Sequence, residues 1–201
     1  MSDLVTDQLV GLVIVASFAA GLNAYATVIM LGLLARAGLV DLPNSLHLLN
    51  DWWVIGLCGV LYVIEFFADK IPGFDLLWNA LQTAVRVPLG ALVAYGATAH
   101  MSPSTHVIAT ALGAAIAFAA HSAKTAVRIS VTPSPEPFSN IALSTAEDAL
   151  AIGLMWFATR HPLWAAAIVL GLLAAIVVLA GWIIRAIRAL VAQRRAVHRR
   201  L

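Results

Sequence analysis

The feature that most constrains the fold is a series of long apolar stretches that contain a few ionisable side chains. Hydrophobic residues make up 62% of the 201 residues, and charged residues only 11%. The apolar stretches recur from Val10 to Arg185, and about 20 consecutive apolar residues suffice for a helix to cross a bilayer. An ionisable group inside such a stretch usually pairs, lines a wet cavity or handles a substrate, because its burial in hydrocarbon is costly. The sequence therefore predicts a polytopic membrane protein with a charged interior.

Segments rich in Pro, Gly, Asn and Asp divide the apolar stretches into about six predicted transmembrane helices of an all-α bundle. The long first span contains Gly21-Leu22-Asn23, which marks a potential break into two half-helices. We predict one transmembrane domain over residues 1–190 and a basic cytoplasmic tail over residues 191–201. The predicted spans lie at about Val10–Ala37, Trp52–Ala68, Leu76–Thr98, Thr105–Val127, Ile141–Thr159 and Leu163–Ile187.

The distribution of basic residues predicts the orientation, since an even number of spans places both termini on one side of the membrane. Cytoplasmic termini leave only Arg36 and Arg160 outside, as the positive-inside rule favours. We therefore expect a bacterial inner-membrane protein with both termini in the cytoplasm. Its arginine-rich C-terminus is expected to bind anionic lipid headgroups rather than nucleic acid. The chain is also a candidate to form a homo-oligomer.

Arg86 and two adjacent carboxylates are the most deeply placed charges. Counting along the helix places Arg86 about 15 Å from Leu76, and Glu147 and Asp148 about 10 Å into the fifth span. An ion pair between Arg86 and one of these acids is the economical arrangement, and the second acid would then take up a proton or a cation. The alternative is a structural ion pair that only fixes helix packing.

Three basic side chains share one face near the end of the fourth span. His121, Lys124 and Arg128 follow one another at spacings of three and four residues, as residues on one side of a helix do. Such a cluster suits a phosphate or carboxylate, which Arg contacts through a planar fork and Lys as a point charge. The alternative is that these side chains extend to lipid headgroups at the membrane surface.

Further polar groups lie in the first and second spans. Asn23 adds a neutral hydrogen-bonding group at mid-depth in the first span. Glu65 and Asp69 are one helical turn apart and repel unless a cation or proton lies between them. We predict a proton-coupling or ion-pair role for Glu65, whereas we interpret Asp69 and Asp75 as parts of a solvated helix end.

An internal similarity links two of the polar segments. Residues Ala80–Arg86 align with Ala142–Asp148 without a gap, so that Arg86 falls on Asp148. Internal repeats are common in transporters, where the substrate site lies at the repeat interface. The alternative is a chance match between segments rich in Ala, Leu and Thr.

The chain lacks the residues that several classes of enzyme need. His106 and His121 lie on one predicted helix, so they do not face each other as haem ligands do. The single cysteine, Cys58, excludes a disulfide framework and a thiolate metal cluster, and no nucleophile-elbow motif is present. We predict no catalytic residue, cofactor or metal, and an enzyme that modifies lipid within the membrane is a further alternative.

The preferred function is a small carrier or channel with a charged intramembrane cavity, for an anionic or phosphate-bearing substrate. The predicted substrate-binding residues are Arg86, Lys124, His121, Arg128 and Asn23, and those for proton or cation coupling or for ion pairing are Glu147, Asp148 and Glu65. The alternative is a non-transporting scaffold that docks through its cytoplasmic loops, chiefly Val131–Asn140.

Three motifs together carry a family resemblance. They are Gly21–Thr27, then Phe66–Asp75 running into Arg86, and then Ser134–Asn140 with Glu147-Asp148. The chain resembles the bacterial family catalogued as domain of unknown function 4126 over most of its length, up to about the fifth span. This resemblance implies an integral membrane protein and no established activity. It also implies that the polar loops Asp69–Asp75 and Lys124–Asn140, with their flanking helices, form the family's signature surface.

Overall fold

The fold is an all-helical bundle in the part of the chain that the structure describes. A computed structural model covers residues 2–71, 74–131 and 137–198, with side chains for residues 8–71, 74, 77–130, 138–139 and 141–189. Residues 72–73 and 132–136 of the predicted loops and residues 199–201 of the predicted tail lie outside it. The helices are α1 (Ser2–Leu22), α2 (Ala24–Arg36), a 3-10 helix (Asn44–Asn50), α3 (Trp52–Ala68), α4 (Phe74–Ala97), α5 (Pro103–Val131), α6 (Pro137–Arg160) and α7 (Pro162–His198).

The apolar helices indicate a membrane protein. Three described stretches, Pro103–Ser130, Ile141–Arg160 and Pro162–Ala189, are long and apolar enough to cross a membrane. A fourth results if the 3-10 helix and α3, which meet at 60°, count as one span. The all-α prediction is therefore confirmed, whereas the number of six spans is not.

The first predicted span consists of two helices that meet at Asn23. This residue has an extended backbone (φ −149°, ψ 106°), which interrupts the helical hydrogen bonds, and its side-chain oxygen accepts a hydrogen bond from the Ala26 amide at 2.9 Å. Asn is among the preferred residues for such an N-cap, because it satisfies an amide that has no partner within the helix. The break suggested by Gly21-Leu22-Asn23 is therefore present.

Close contacts show that α1 and α2 form a hairpin. Gly11 near the start of α1 lies against Pro162 at the start of α7, and Gly21 near the end of α1 lies against Ala117 in α5. Gly32 in α2 then lies against Ile55 near the start of α3. The chain thus enters the bundle in α1, turns at Asn23 and returns to the same end in α2. We call this unit the re-entrant hairpin.

The hairpin determines how the two ends of the bundle are built. We call the end where α3, α5 and α7 begin the cavity end, and the end where α3 and α5 finish the ion-pair end. Helix α1 begins at the cavity end and α7 runs away from it. The expectation that both termini lie on one side assumes six complete spans. In the described helices the first predicted span turns back, so that α1 begins and α7 finishes at opposite ends of the bundle.

The apolar core surrounds α1. Its residues from Val15 to Ala20 are at most 2% exposed and pack against α4, α5, α6 and α7. Small residues permit this approach: the Ser17 hydroxyl donates a hydrogen bond to the Gly90 carbonyl at 3.3 Å, and a Cβ atom at Gly113 would lie only 2.5 Å from the Gly90 carbonyl oxygen. The core therefore holds the inner half of the hairpin in place by tight backbone packing.

The tight packing at Gly113 leads to a stability prediction. Gly113→Ala should lower the free energy of unfolding by about 1–3 kcal/mol, because the added methyl group overpacks the contact with α4. Gly153→Ala in α6 is the matched control, since nothing lies within 4 Å of a Cβ there. The control should be neutral or stabilising by up to about 1 kcal/mol through helix propensity. Thermal unfolding in detergent measures both, and equal melting temperatures would contradict the packing described here.

Candidate functional site

The tip of the re-entrant hairpin lies among charged side chains from α5 and α6. The Asn23 amide nitrogen donates a hydrogen bond to Asp148 Oδ1 at 2.8 Å, and Lys124 Nζ donates one to the Leu22 carbonyl oxygen at 3.1 Å. Asn23, Lys124 and Asp148 are all at most 6% exposed. The Lys124 ammonium faces the C-terminal end of α1, where the helix dipole is negative and favours a cation.

Four buried side chains form an alternating ring of charges. Asp69 Oδ2 accepts hydrogen bonds from Lys124 Nζ at 2.9 Å and from Arg128 Nη2 at 3.0 Å. On the other side, Glu147 Oε2 contacts the same two nitrogens at 3.2 Å and 2.5 Å. The ring joins the end of α3 to α5 and α6, and its two cations balance its two carboxylates. We call these four residues the charge ring.

Both cations of the charge ring also bind the end of a helix. Arg128 Nη1 donates a hydrogen bond to the Asp69 backbone carbonyl at 2.9 Å, at the residue that caps α3. Lys124 does the same for α1. Two helices therefore end inside the bundle because α5 supplies cations for carbonyl groups that have no partner within their own helix.

Arg86 forms a second centre, in which it pairs with Glu65. Its Nη2 contacts Glu65 Oε1, and its Nη1 donates hydrogen bonds to Asn79 Oδ1 at 3.1 Å and to His121 Nδ1 at 3.0 Å. Arg86 and Glu65 are fully buried. Because Arg is a donor only, Nδ1 of His121 must be the acceptor, and its Nε2–H then faces the Thr83 hydroxyl at 2.7 Å. His121 is therefore a neutral imidazole in this arrangement.

Asp148 differs from the other three buried carboxylates. It accepts hydrogen bonds from the neutral groups of Asn23 and Tyr62, the latter at 3.3 Å. Within the described part of the chain no cation forms a salt bridge with it. Lys70 lies nearby, where its ammonium contacts the Phe66 carbonyl and ring and lies 3.5 Å from the Ser144 hydroxyl.

Some buried polar atoms keep unused hydrogen-bonding capacity. Among the described residues, four such atoms near the two centres have no partner, namely Glu65 Oε2, Asp69 Oδ1, Gln82 Oε1 and Arg86 Nε. An unsatisfied buried acceptor or donor is costly, and water or a ligand removes that cost. Gln82 also donates a hydrogen bond to the Tyr25 hydroxyl at 3.2 Å, which links α4 to the hairpin.

Two cavities lie at the other end of the bundle. The larger one, of about 510 Å³, opens at the cavity end, and a narrow apolar gap of about 10 Å³ continues from it toward the core. The larger cavity is lined by Gln8, Leu9, Leu12, Leu39, Val40, Asp41, Leu42, Pro43, Asn44, His100, Ala158, Thr159, Arg160 and Pro162. No residue of the charge ring lines either cavity.

Comparison with known proteins defines the family but adds no activity. The model of a family described as a domain of unknown function, DUF4126, matches residues 10–182. The chain belongs to this family. No curated protein and no solved structure matches it. The match extends through most of α7, so that membership in the DUF4126 family covers both charged centres and the hairpin.

All eight predicted site residues lie in or next to the two charged centres of this DUF4126 protein. They come from five different helices or breaks, yet each contacts another member or the hairpin tip. These residues are Arg86, Lys124, His121, Arg128, Asn23, Glu147, Asp148 and Glu65. No three His, Cys, Asp or Glu side chains of the described residues converge to hold a metal ion.

Two predictions about this site are wrong. Arg86 pairs with Glu65 rather than with Glu147 or Asp148, because α3 places its carboxylate beside α4 while α6 faces α5 and the hairpin. Asp69 is not part of a solvated helix end: it is 1% exposed and bridges both cations of the ring. The charged residues were also expected to line a cavity. In the described part of the chain Glu65 contacts Arg86, and Asp69 and Glu147 contact Lys124 and Arg128, as ion pairs.

Sequence reasoning also missed Tyr62. Tyr62 lies two turns before Lys70 on an otherwise apolar helix, and no local pattern distinguishes it from an interfacial aromatic residue. For Asp69 a signal was present, since its spacing of four residues from Glu65 mirrors that of Lys124 and Arg128. The side chain of Asp75 lies outside the described ones.

Proposed function

We propose that this protein is a small membrane carrier for an anionic, phosphate-bearing solute, with its charged centre closed in this structure. The observation that carries the proposal is the charge ring at the tip of a re-entrant hairpin. Half-length helices that end among polar groups inside the membrane are a recurring way to build a solute or ion site. Buried ionisable residues in such a place are functional candidates by default.

The chemistry of the ring favours an anion. Lys124 and Arg128 present ammonium and guanidinium donors one turn apart, which is a combination that suits phosphate oxygens. In the closed ring the carboxylates of Asp69 and Glu147 occupy these donors. A phosphate offers the same kind of acceptor oxygens, so that it competes with the two carboxylates for the same donors.

The path to the ring runs along the hairpin. The 510 Å³ cavity lies at the outer end of the hairpin and the charge ring at its tip. Between them α1 and α2 pack against α4 with apolar residues, including Val13, Leu31 and Val93. A movement of the hairpin therefore connects the cavity with the charged centre, whereas its present position separates them.

The orientation is part of this proposal. The ion-pair end carries Lys70, Arg128 and the basic end of α7, whereas Arg36 and Arg160 lie toward the cavity end. The positive-inside rule then places the ion-pair end in the cytoplasm of a bacterium and the cavity end outside the inner membrane. The C-terminal arginines would bind anionic lipid headgroups on the cytoplasmic face.

A non-transporting assembly protein is the second candidate. The closed ring favours it, because a network in which charges satisfy one another also serves to fix helices in place. Helix α7 would supply the assembly surface, since only 6% of its most apolar window is buried within the single chain. Such a protein binds a second copy or another membrane protein and moves no solute.

Transport assays in proteoliposomes separate the two candidates. One arm follows radiolabelled inorganic phosphate, and the other follows flipping of a fluorescent phosphatidylglycerol, because a free and a lipid phosphate present the same chemistry to the ring. We expect flux of at least one probe, reduced about tenfold or more in Lys124→Gln, which removes a charged hydrogen-bond donor. Lys124→Arg should retain part of the flux.

Arg185→Gln is the matched control for this assay. Arg185 is exposed on α7, and its Nε donates a hydrogen bond to the Gly181 carbonyl of its own helix, away from the ring. Its neutralisation should leave the flux unchanged. Absence of both fluxes with monodisperse wild-type protein in the liposomes would reject the carrier and leave the assembly protein.

A further inference from the structure

We propose that Asp148 is the group that takes up the coupling proton, and that its protonation loosens the tip of the re-entrant hairpin from α6. This inference rests on the proposed carrier function and names the coupling ion and the moving element of the same site. Its basis is the distribution of hydrogen bonds and ion pairs around four buried carboxylates.

A charge balance singles out Asp148. The described core contains four buried carboxylates, those of Glu65, Asp69, Glu147 and Asp148, and three buried cations, those of Arg86, Lys124 and Arg128. Glu65 pairs with Arg86, and the two acids of the ring share Lys124 and Arg128. Asp148 is left with the neutral donors of Asn23 and Tyr62. A carboxylate in direct contact with a cation is held in its charged form, whereas one bound by neutral groups accepts a proton more readily.

The surroundings of Asp148 are mixed in charge. Lys70 and Asp69, which follow α3, and Lys124 of α5 act on it electrostatically, and the Tyr62 phenol of α3 faces it directly. Glu147 precedes it on α6. No single cation dominates, so that the carboxyl group changes charge without breaking an ion pair.

The contact with Asn23 connects this proton to the hairpin. The Asn23 side-chain amide links the hairpin tip to α6. Its oxygen accepts a hydrogen bond from the first turn of α2, and its nitrogen donates one to Asp148 Oδ1. Asn23 therefore transmits a change at Asp148 directly to the point where α1 becomes α2. Its own backbone is already extended, so that the hairpin has a natural hinge there.

The step itself is a protonation with no other bond change. A hydronium ion gives its proton to Asp148 Oδ2 and leaves as water. The Tyr62 O–H then turns away from Asp148, and the new carboxylic hydroxyl donates a hydrogen bond to the Tyr62 oxygen. The Asn23–Asp148 bond changes from charge-assisted to neutral, and charge-assisted bonds are about twice as strong. On the return step the proton passes back to water. The hairpin is thus held tightly when Asp148 is charged and loosely when it is neutral.

Cysteine accessibility at the hairpin tip tests this independently of transport. In a Cys58→Ser background, Ala24→Cys places a thiol next to Asn23 at a position that is 1% exposed. Its rate of maleimide labelling is normalised to that of Ser102→Cys, an exposed site, to remove the pH dependence of the reagent. We expect about a fivefold faster relative rate at pH 5 than at pH 8, corresponding to a weakened charged hydrogen bond.

Variants of the carboxyl group decide the assignment. Asp148→Asn should label rapidly at both pH values, and Asp148→Glu should keep the pH dependence. Asp51→Asn, at an exposed carboxylate of the cavity end that lines neither cavity, is the matched control and should behave like the wild type. An unchanged pH dependence in folded Asp148→Asn, or no pH dependence in the wild type, would overturn the proposal.

A transport measurement separates this proposal from the proposed function. In wild-type proteoliposomes that contain a pH-sensitive dye, the interior should acidify as phosphate enters. The Asp148→Asn protein should exchange internal for external phosphate without moving protons. If the wild type transports neither probe, the carrier function fails. If it transports with proton movement and Asp148→Asn still moves protons, only the role of Asp148 fails.

Discussion

Replacing Glu65 with Gln will lower the free energy of unfolding by about 3–5 kcal/mol, because it leaves the Arg86 guanidinium buried without a counter-ion. Arg86 cannot release its proton to avoid this cost. Both side chains are fully buried, so that water does not replace the lost carboxylate. Thermal or denaturant unfolding of the purified protein in detergent measures the change.

The double variant Glu65→Gln with Arg86→Gln should recover part of the lost stability, because it leaves no unpaired charge. The control starts from Glu147→Gln with Asp148→Asn, to which Arg86→Gln is then added. No recovery is expected there, since Arg86 contacts neither acid. A recovery in the control but not in the Glu65 background would mean that Arg86 pairs with α6 rather than with α3.

The identity of the site residues was predictable from the sequence, but their pairing was not. An ionisable side chain in a long apolar stretch is a candidate site residue wherever it lies in that stretch. This rule is sufficient to identify Arg86, Lys124 and Glu147. Pairing depends on the rotation and depth of each helix, which a count of residues from a predicted helix start does not define. Glu65 and Arg86 meet because α3 is only 17 residues long and its end lies inside the bundle.

The re-entrant hairpin was only partly predictable. Gly21-Leu22-Asn23 indicates a break, but a kinked span and a hairpin that turns back have the same local sequence. The direction of α2 is decided by distant contacts, such as Gly32 against Ile55 and the capping of the Leu22 carbonyl by Lys124. These contacts depend on the helices around the hairpin, not on the hairpin sequence itself.

The charges of the two central helix pairs are complementary. Helix α3 ends with two acids, Glu65 and Asp69, and the following helix carries a base, Arg86. Helix α5 ends with two bases, Lys124 and Arg128, and the following helix carries Glu147 and Asp148. The alignment of Ala80–Arg86 with Ala142–Asp148 therefore superposes opposite charges. Whether or not a duplication produced it, this inversion allows two helix pairs to bury seven charges between them.

Cysteine labelling of intact cells should give an all-or-none result for the topology of the hairpin. In a Cys58→Ser background, Gln8→Cys and Ser102→Cys lie at the cavity end, whereas Ser130→Cys lies at the ion-pair end, and all three positions are exposed. A membrane-impermeant maleimide should label Gln8→Cys and Ser102→Cys from the same side of the membrane. Ser130→Cys should be labelled only from the opposite side.

The decisive observation is whether Gln8→Cys and Ser102→Cys are labelled from the same side. This result does not depend on which end of the bundle faces the cytoplasm. A first span that crosses the membrane completely would move Gln8 to the side of Ser130 while Ser102 stayed in place. Labelling of Gln8→Cys together with Ser130→Cys would therefore exclude the re-entrant hairpin. The expected pattern instead brings α1 to an end within the bilayer, where the Leu22 carbonyl needs the Lys124 ammonium because neither lipid nor its own helix offers a donor.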